Sequence, residues 1–166
     1  MTRIEIVPNI CTAANLLLGV TALANVLDHN YNASVVLIIL AALTDRVDGM
    51  LARHYNAVSA FGKEFDSLAD LISFGVAPAA LSYSYLMEKW SLAGLVCFGF
   101  FTLCGSLRLA RFNISGNPSY FQGVPITVAG SVLAIIVLLI PNPVAILASG
   151  FILALAMIST VHIPKI

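Results

Sequence analysis

The sequence predicts an all-α integral membrane protein: a six-transmembrane-helix bundle with a short N-terminal interfacial segment, residues 1–166 forming one domain. Three observations lead there. First, 60% of the 166 residues are hydrophobic and 10% charged, with a mean hydropathy of +0.97, where soluble domains run near half apolar and a quarter charged. Second, the apolar residues gather into six long stretches separated by polar or Gly/Pro-rich punctuation. Third, the basic residues collect at alternate ends of those stretches. The composition excludes a water-soluble globule, a disordered chain and a basic-faced nucleic-acid binder, since 8 Lys and Arg balance 8 Asp and Glu.

The elements follow in order. Met1 to Val7 is short and mixed, with Arg3 and Glu5 among apolar residues; it lacks a cleavable signal peptide pattern and suits a brief interfacial helix. The first span runs from about Ile10 to Leu27 and stops at Asp28-His29-Asn30. The second runs from about Ala33 to Tyr55, and Asn56 to Lys63 connect it to a third from about Glu64 to Met87. Gly75 and Pro78 are expected to bend the third span. Glu88-Lys89-Trp90 precede a fourth span, about Ser91 to Arg111, and a Gly/Pro/Asn-rich loop follows from Asn113 to Gly123. The fifth covers about Val124 to Ile140 and the sixth about Val144 to Val161, with Pro141-Asn142-Pro143 turning between them. Only helices or closed barrels satisfy their backbone in lipid. These stretches lack the two-residue alternation of barrel strands.

Six spans put Arg3, Arg53, Lys63, Arg108, Arg111 and Lys165 on one side and only Lys89 on the other. The positive-inside rule then places both termini in the cytoplasm, in a cell (inner) membrane. Cys11, Cys97 and Cys104 lie inside apolar stretches, without metal or disulfide spacing, and read as small buried residues. Ser67 and Ser73 read as partners of backbone carbonyls, and Tyr85 and Trp90 as interfacial anchors.

Four carboxylates stand out against this background. An Asp at a helix centre costs roughly 2.5–3.5 kcal/mol to insert, yet Asp45, Asp48, Asp66 and Asp70 lie within or at the ends of spans. Asp45 and Asp48 are three apart and Asp66 and Asp70 four apart, so each pair shares a helical face. Both pairs lie about 10 Å from the intervening connection on adjacent antiparallel helices, at 1.5 Å per residue, and so meet at one depth. Ion pairs with Arg46, Arg53 and Lys63 would settle only some of these charges. Oxygen-only ligands without Cys or His suit two divalent cations, Mg²⁺ or Mn²⁺, with Ca²⁺ as a substitute. Gly49 and Ala52 extend the acidic face of the second helix, leaving room for a ligand or for close helix packing. Arg53 at the helix end serves equally as a phosphate ligand or an interfacial anchor.

The stretch from Asp45 to Asp70, DRVDGMLARHYNAVSAFGKEFDSLAD, resembles the signature of the CDP-alcohol phosphotransferases, D-x-x-D-G-x-x-A-R-x(8)-G-x(3)-D-x(3)-D. All its fixed positions match: Asp45, Asp48, Gly49, Ala52, Arg53, Gly62, Asp66 and Asp70. The resemblance implies transfer of a phosphatidyl-type group from a CDP-linked lipid to a hydroxyl acceptor, with release of CMP. It implies that Asp45 and Asp66 bridge two metals, that Asp48 completes one site, and that Asp70 both contacts the second metal and takes the acceptor's proton. Gly49, Ala52, Arg53, Ser59 and Gly62 would then line the CDP-lipid. A homodimer is the family's default.

Arg108-Leu109-Ala110-Arg111-Phe112-Asn113, with Phe121-Gln122-Gly123-Val124-Pro125, is similar to segments of the phosphatidylserine synthases within that family, as is Pro8-Asn9-Ile10-Cys11-Thr12-Ala13-Ala14-Asn15. Val124 departs from the usual Leu. The implied substrates are CDP-diacylglycerol and L-serine. Arg108 and Arg111, three apart on one face, would bind the acceptor carboxylate or the diphosphate, or else anchor the interface. Thr12 and Asn15 would hydrogen-bond cytosine or ribose, or else a neighbouring helix. Three alternatives stay open at this point: another acceptor, such as glycerol 3-phosphate or an inositol phosphate, an archaeal-type ether-lipid donor, and a cation or proton transporter built on the same acids.

Overall fold

A computed structural model describes the backbone of residues 3–54, 59–115, 120–160 and 162–164, and side chains at 9–47, 49–50, 59–114 and 123–160. Helix α1 spans Arg3–Leu27 and α2 spans Tyr31–His54. Helix α3 spans Ala60–Asp70, continues as a π-helical turn at Leu71–Val76, and leads into α4, Ala77–Ser115. Two shorter helices, α5 (Ile126–Leu139) and α6 (Pro143–Ile158), complete the helical part. Helix α1 is unbroken from Arg3, so the expected interfacial segment is not set apart from the first apolar helix.

Residues Ala60–Ile114 form one apolar run of 55 residues, which as a straight helix would reach about 82 Å. It folds back instead. Trp90 has non-helical backbone angles, φ −134° and ψ 43°. Beyond it the Phe98 ring stacks on Tyr83, with centroids 6.1 Å apart. Gly94 makes this return possible, because a Cβ there would already sit 3.1 Å from the Leu86 Cβ. The expected boundary at Glu88-Lys89-Trp90 is therefore a hairpin between two helical passes.

Hydrogen bonds fix which turns share an end. The Tyr31 hydroxyl lies 3.0 Å from His29 Nδ1 and 3.1 Å from Ser84 Oγ, while Tyr85 donates to the Pro141 carbonyl at 3.0 Å. The α1–α2 turn, the Trp90 hairpin and the α5–α6 turn are thus gathered at one end. At the other end Lys63 Nζ donates to the Asn113 carbonyl at 2.9 Å. Arg111 there donates to the carbonyls of Ile158 and Ser159 at 3.2 and 3.3 Å. The described residues therefore make six helical passes running alternately up and down. By length and composition, α1 and the 55-residue run are long and apolar enough to cross a membrane. Helices α5 and α6, at 14 and 16 residues, are shorter than the ~20 residues of a full span.

The burial pattern is that of a protein dissolved in lipid. Leu17, Leu92, Ile152 and Leu155 lie on the outside, while Asn15, Ser34, Asp70, Ser73 and Arg108 are buried within. A soluble protein rarely exposes so many large apolar side chains while burying polar ones.

Two details depart from expectation. The bend foreseen at Gly75 and Pro78 is a π-helical widening. Pro78 lacks the N–H that an α-helix would direct to the Phe74 carbonyl, and that carbonyl instead lies against Gly130 of α5. The Gly/Pro/Asn-rich loop also holds a strand. β1 (Tyr120–Gln122) pairs antiparallel with β2 (His162–Pro164), Phe121 opposite Ile163. Gly123 turns the chain out of this ribbon with φ +76°, its α-carbon against the Met157 carbonyl, and Val124 N–H donates to the Ala156 carbonyl at 3.1 Å.

Candidate active site

The antiparallel course of α2 and α3 brings together carboxylates 21 and 25 positions apart in the chain. Asp45 of α2 and Asp66 and Asp70 of α3 each present an oxygen within 4.8 Å of the others. Asp70 is buried, and Asp45 and Asp66 are partly so. Three like charges at this separation in an apolar bundle repel strongly, about 4 kcal/mol per pair at 4 Å with an effective dielectric near 20. An all-oxygen cluster is matched by a hard divalent cation, so the residues present fit the metal expected from the sequence. The backbone of Asp48 lies one turn beyond Asp45 in α2. Its side chain, and those of Ala52 and Arg53, fall outside the described residues.

Neighbouring elements hold the cluster in place. Asn15, fully buried in α1, donates its amide Nδ2 to Asp70 Oδ1 at 3.2 Å. Ser73, one turn after Asp70, donates to the Asn15 carbonyl at 3.0 Å. Thr127, in the first turn of α5, donates to Asp45 Oδ2 at 3.4 Å. Thr127 was not singled out from the sequence; its only signal is that it follows the Phe121–Pro125 segment. Asn113 was also missed as a fastener. Its amide donates to Ser67 Oγ at 3.0 Å and to Glu64 Oε2 at 3.2 Å, tying the end of α4 to the helix that carries Asp66 and Asp70. Ser67 and Ser73 do bond to carbonyls as expected, Ser67 to that of Lys63 at 3.1 Å.

The remaining candidates fall into distinct places. Gly49 borders open space among the described residues: a Cβ there would meet none of them within 4 Å. Ser59 is the N-cap of α3, its Oγ accepting from the Gly62 N–H at 3.0 Å. Gly62 lets α1 come close, since its Cβ would lie 3.3 Å from Asn9 Oδ1. Thr12 is buried in α1. The two arginines of α4 separate. Arg111 binds the last carbonyls of α6, where a cation offsets the helix dipole. Arg108 is 7% exposed and lies in the fields of Asp70 and Arg111. Its Nε–H and the Asn15 Oδ1 are both buried without a hydrogen-bond partner among the described residues. Such orphans cost about 1–3 kcal/mol each, and a native protein keeps them where something else satisfies them.

The sequence model of the family described as CDP-alcohol phosphatidyltransferase matches residues 5–162. The chain belongs to this family. As a CDP-alcohol phosphatidyltransferase it is an enzyme, and the reading of its acids as a transporter's ion pathway is set aside. Among curated relatives, it is 37% identical over 159 residues to the CDP-diacylglycerol–serine O-phosphatidyltransferase of Bacillus subtilis, covering 95% of this chain and 89% of that one. It is 38% identical over 138 residues to the protein of the same name from Helicobacter pylori, covering 81% of this chain and 58% of the relative. It is also 38% identical over 132 residues to the archaetidylserine synthase of Methanothermobacter thermautotrophicus, covering 78% and 56%. The chain thus spans most of the Bacillus relative and a little over half of the other two.

Proposed function

We propose that this CDP-alcohol phosphatidyltransferase transfers the phosphatidyl group of CDP-diacylglycerol to the hydroxyl of L-serine, giving phosphatidylserine and CMP. The observation that carries the reading is the convergence of Asp45, Asp66 and Asp70 within 4.8 Å inside an apolar bundle. Relatives named for a serine acceptor support the choice of alcohol. Asp45, Asp48, Asp66 and Asp70 would hold two Mg²⁺ or Mn²⁺ ions. When bound, such ions would supply positive charge against the diphosphate and the departing CMP. Asp70 takes the proton from the serine hydroxyl as its oxygen bonds to the lipid-side phosphorus, and the bond from that phosphorus to the CMP oxygen breaks. Asn15 and Thr127 hold Asp70 and Asp45 in position. The space beside Gly49 admits the CDP group, with Arg53 at the end of the same helix.

We place the six passes across the cell membrane, with both termini and the active site on the cytoplasmic side, on the strength of the basic residues at that end. Nucleotide and serine then arrive from the cytosol while the acyl chains stay in lipid. Family resemblance supports a homodimer.

The deciding experiment measures CMP release by the purified protein with CDP-diacylglycerol, Mg²⁺ or Mn²⁺, and a panel of alcohols. L-Serine is expected to give the fastest release; a faster rate with glycerol 3-phosphate or an inositol phosphate overturns the assignment. Gly49 offers a second check. Gly49→Ala gains helix propensity worth up to about 1 kcal/mol and clashes with nothing among the described residues. It is expected to raise thermal stability in detergent while raising the KM for CDP-diacylglycerol at least about tenfold, the loss of roughly one good contact. An unchanged KM would mean that the nucleotide lies elsewhere.

A further inference from the structure

Serine differs from other alcohols in carrying both an ammonium and a carboxylate beside its hydroxymethyl group. Two buried atoms near Asp70 have the complementary characters. The Asp70 carboxylate can only accept, so the Asn15 amide must turn its nitrogen toward it, and Oδ1 is left as an acceptor facing away. That Oδ1 is fully buried and has no partner among the described residues. On the other helix, Arg108 is more than nine-tenths buried, sits in the field of Asp70, and carries a donor, Nε–H, equally without a described partner. Arg111, one turn further along α4, is engaged with the α6 carbonyls, whereas the Arg108 guanidinium is buried within the field of Asp70.

Packing keeps Arg108 at this depth. Gly105, three residues earlier on α4, lies against Ile126 at the start of α5, where a Cβ would come within 2.7 Å of the Ile126 Cδ1. The next α5 residue, Thr127, binds Asp45. An acceptor oxygen on the residue that binds Asp70 and a buried cation in the field of Asp70 thus serve one carboxylate, where a phosphorylated acceptor would call for several donors.

Resting on the serine reading above, we propose that Asn15 and Arg108 form a seat for an α-amino acid around Asp70. Asn15 Oδ1 accepts from the ammonium, Arg108 donates to the carboxylate, and the hydroxyl is thereby presented to Asp70. Asn15, which the sequence offered as a partner of cytosine or ribose or of a neighbouring helix, is thereby assigned to the acceptor.

The test compares kcat/KM for L-serine, 3-hydroxypropionate (no ammonium) and ethanolamine (no carboxylate), using the full-length protein with CDP-diacylglycerol and Mn²⁺. In wild type, serine is expected to exceed each analogue by at least about a hundredfold, since a site built to hydrogen-bond a group rejects the analogue lacking it. Asn15→Ala should shrink the serine-to-hydroxypropionate ratio at least about tenfold and leave the serine-to-ethanolamine ratio nearly unchanged; Arg108→Gln should do the reverse. Where either variant fails to fold, Asn15→Ser and Arg108→Lys read the same ratios, with shifts of about fivefold in the same directions. Equal losses on all three acceptors, or a change only in the Mn²⁺ concentration needed for half activity, would overturn the seat. Serine preferred in wild type with ratios unmoved in the variants rejects the seat alone, whereas glycerol 3-phosphate preferred in wild type rejects the serine reading beneath it.

Discussion

Asp70→Asn is expected to cut metal-supported CMP release by at least about a thousandfold, within the range lost when a positioned base is removed, while making the metal-free protein more stable. The two effects have one cause. Asp45, Asp66 and Asp70 hold oxygens within 4.8 Å of one another, so the empty cluster stores repulsion that a neutral amide relieves. Asparagine matches aspartate in size, and its own amide oxygen can accept the Asn15 Nδ2–H that Asp70 accepts at 3.2 Å; the fold has no reason to fail. Wild type should be stabilised by Mg²⁺ or Mn²⁺, by about 2.7 kcal/mol when the ion is at a hundred times its Kd, and Asp70→Asn should lose most of that gain. Thermal unfolding in detergent with and without the ion, set beside CMP release, reads both signs. An Asp70→Asn protein that keeps its activity, or a wild type indifferent to divalent ions, would sink the metal-centre reading. Asp45→Asn and Asp66→Asn should behave alike.

The acid cluster was legible because helical periodicity is rigid. Spacings of three and four fix a face, and 1.5 Å per residue fixes a depth, so Asp45, Asp66 and Asp70 could be brought together before any coordinates. The α1–α2 turn and the Trp90 hairpin were legible for a similar reason, since Asp28-His29-Asn30 and Glu88-Lys89-Trp90 interrupt apolar runs, whereas the start of α1 at Arg3 was not. What stayed hidden depends on how distant elements meet. Periodicity put Arg108 and Arg111 on one face, yet the carbonyls that occupy Arg111 come from the end of α6, 47 residues away. Ser59, matched to a nucleotide contact by resemblance, caps α3. Thr127 and Asn113 carry no periodic signal at all, and only the meeting of α5 with α2, and of α4 with α3, gives them work. The π turn was visible as Gly75 and Pro78 but not as a widening, because its shape follows from glycines on two other helices.

Those glycines set the second large effect. Asp70 is followed at once by the π turn Leu71–Val76, and the turn is gripped from both sides. Gly19 of α1 lies on Ser73, where a Cβ would sit 2.8 Å from the Ser73 Cα; Gly130 of α5 lies on Phe74, where a Cβ would sit 2.8 Å from the Phe74 Cα. Both obstacles are backbone, which has no rotamer to yield. Gly130→Ala must therefore push α5 away from the turn, at a cost of about 1–3 kcal/mol for overpacking. The displacement carries Thr127 away from Asp45 and loosens the support under Asp70. CMP release is expected to fall more than about tenfold, since misplacing reacting groups by an ångström costs up to a hundredfold. Gly19→Ala should act in the same direction from the α1 side. Gly99, where a Cβ meets nothing within 4 Å, is the contrast: Gly99→Ala should be as stable as wild type or more so, with unchanged activity. If Gly130→Ala and Gly99→Ala prove equally stable and equally active, the grip on the π turn does not set the geometry of the carboxylates, and Asp70 owes its place to α3 and Asn15 alone.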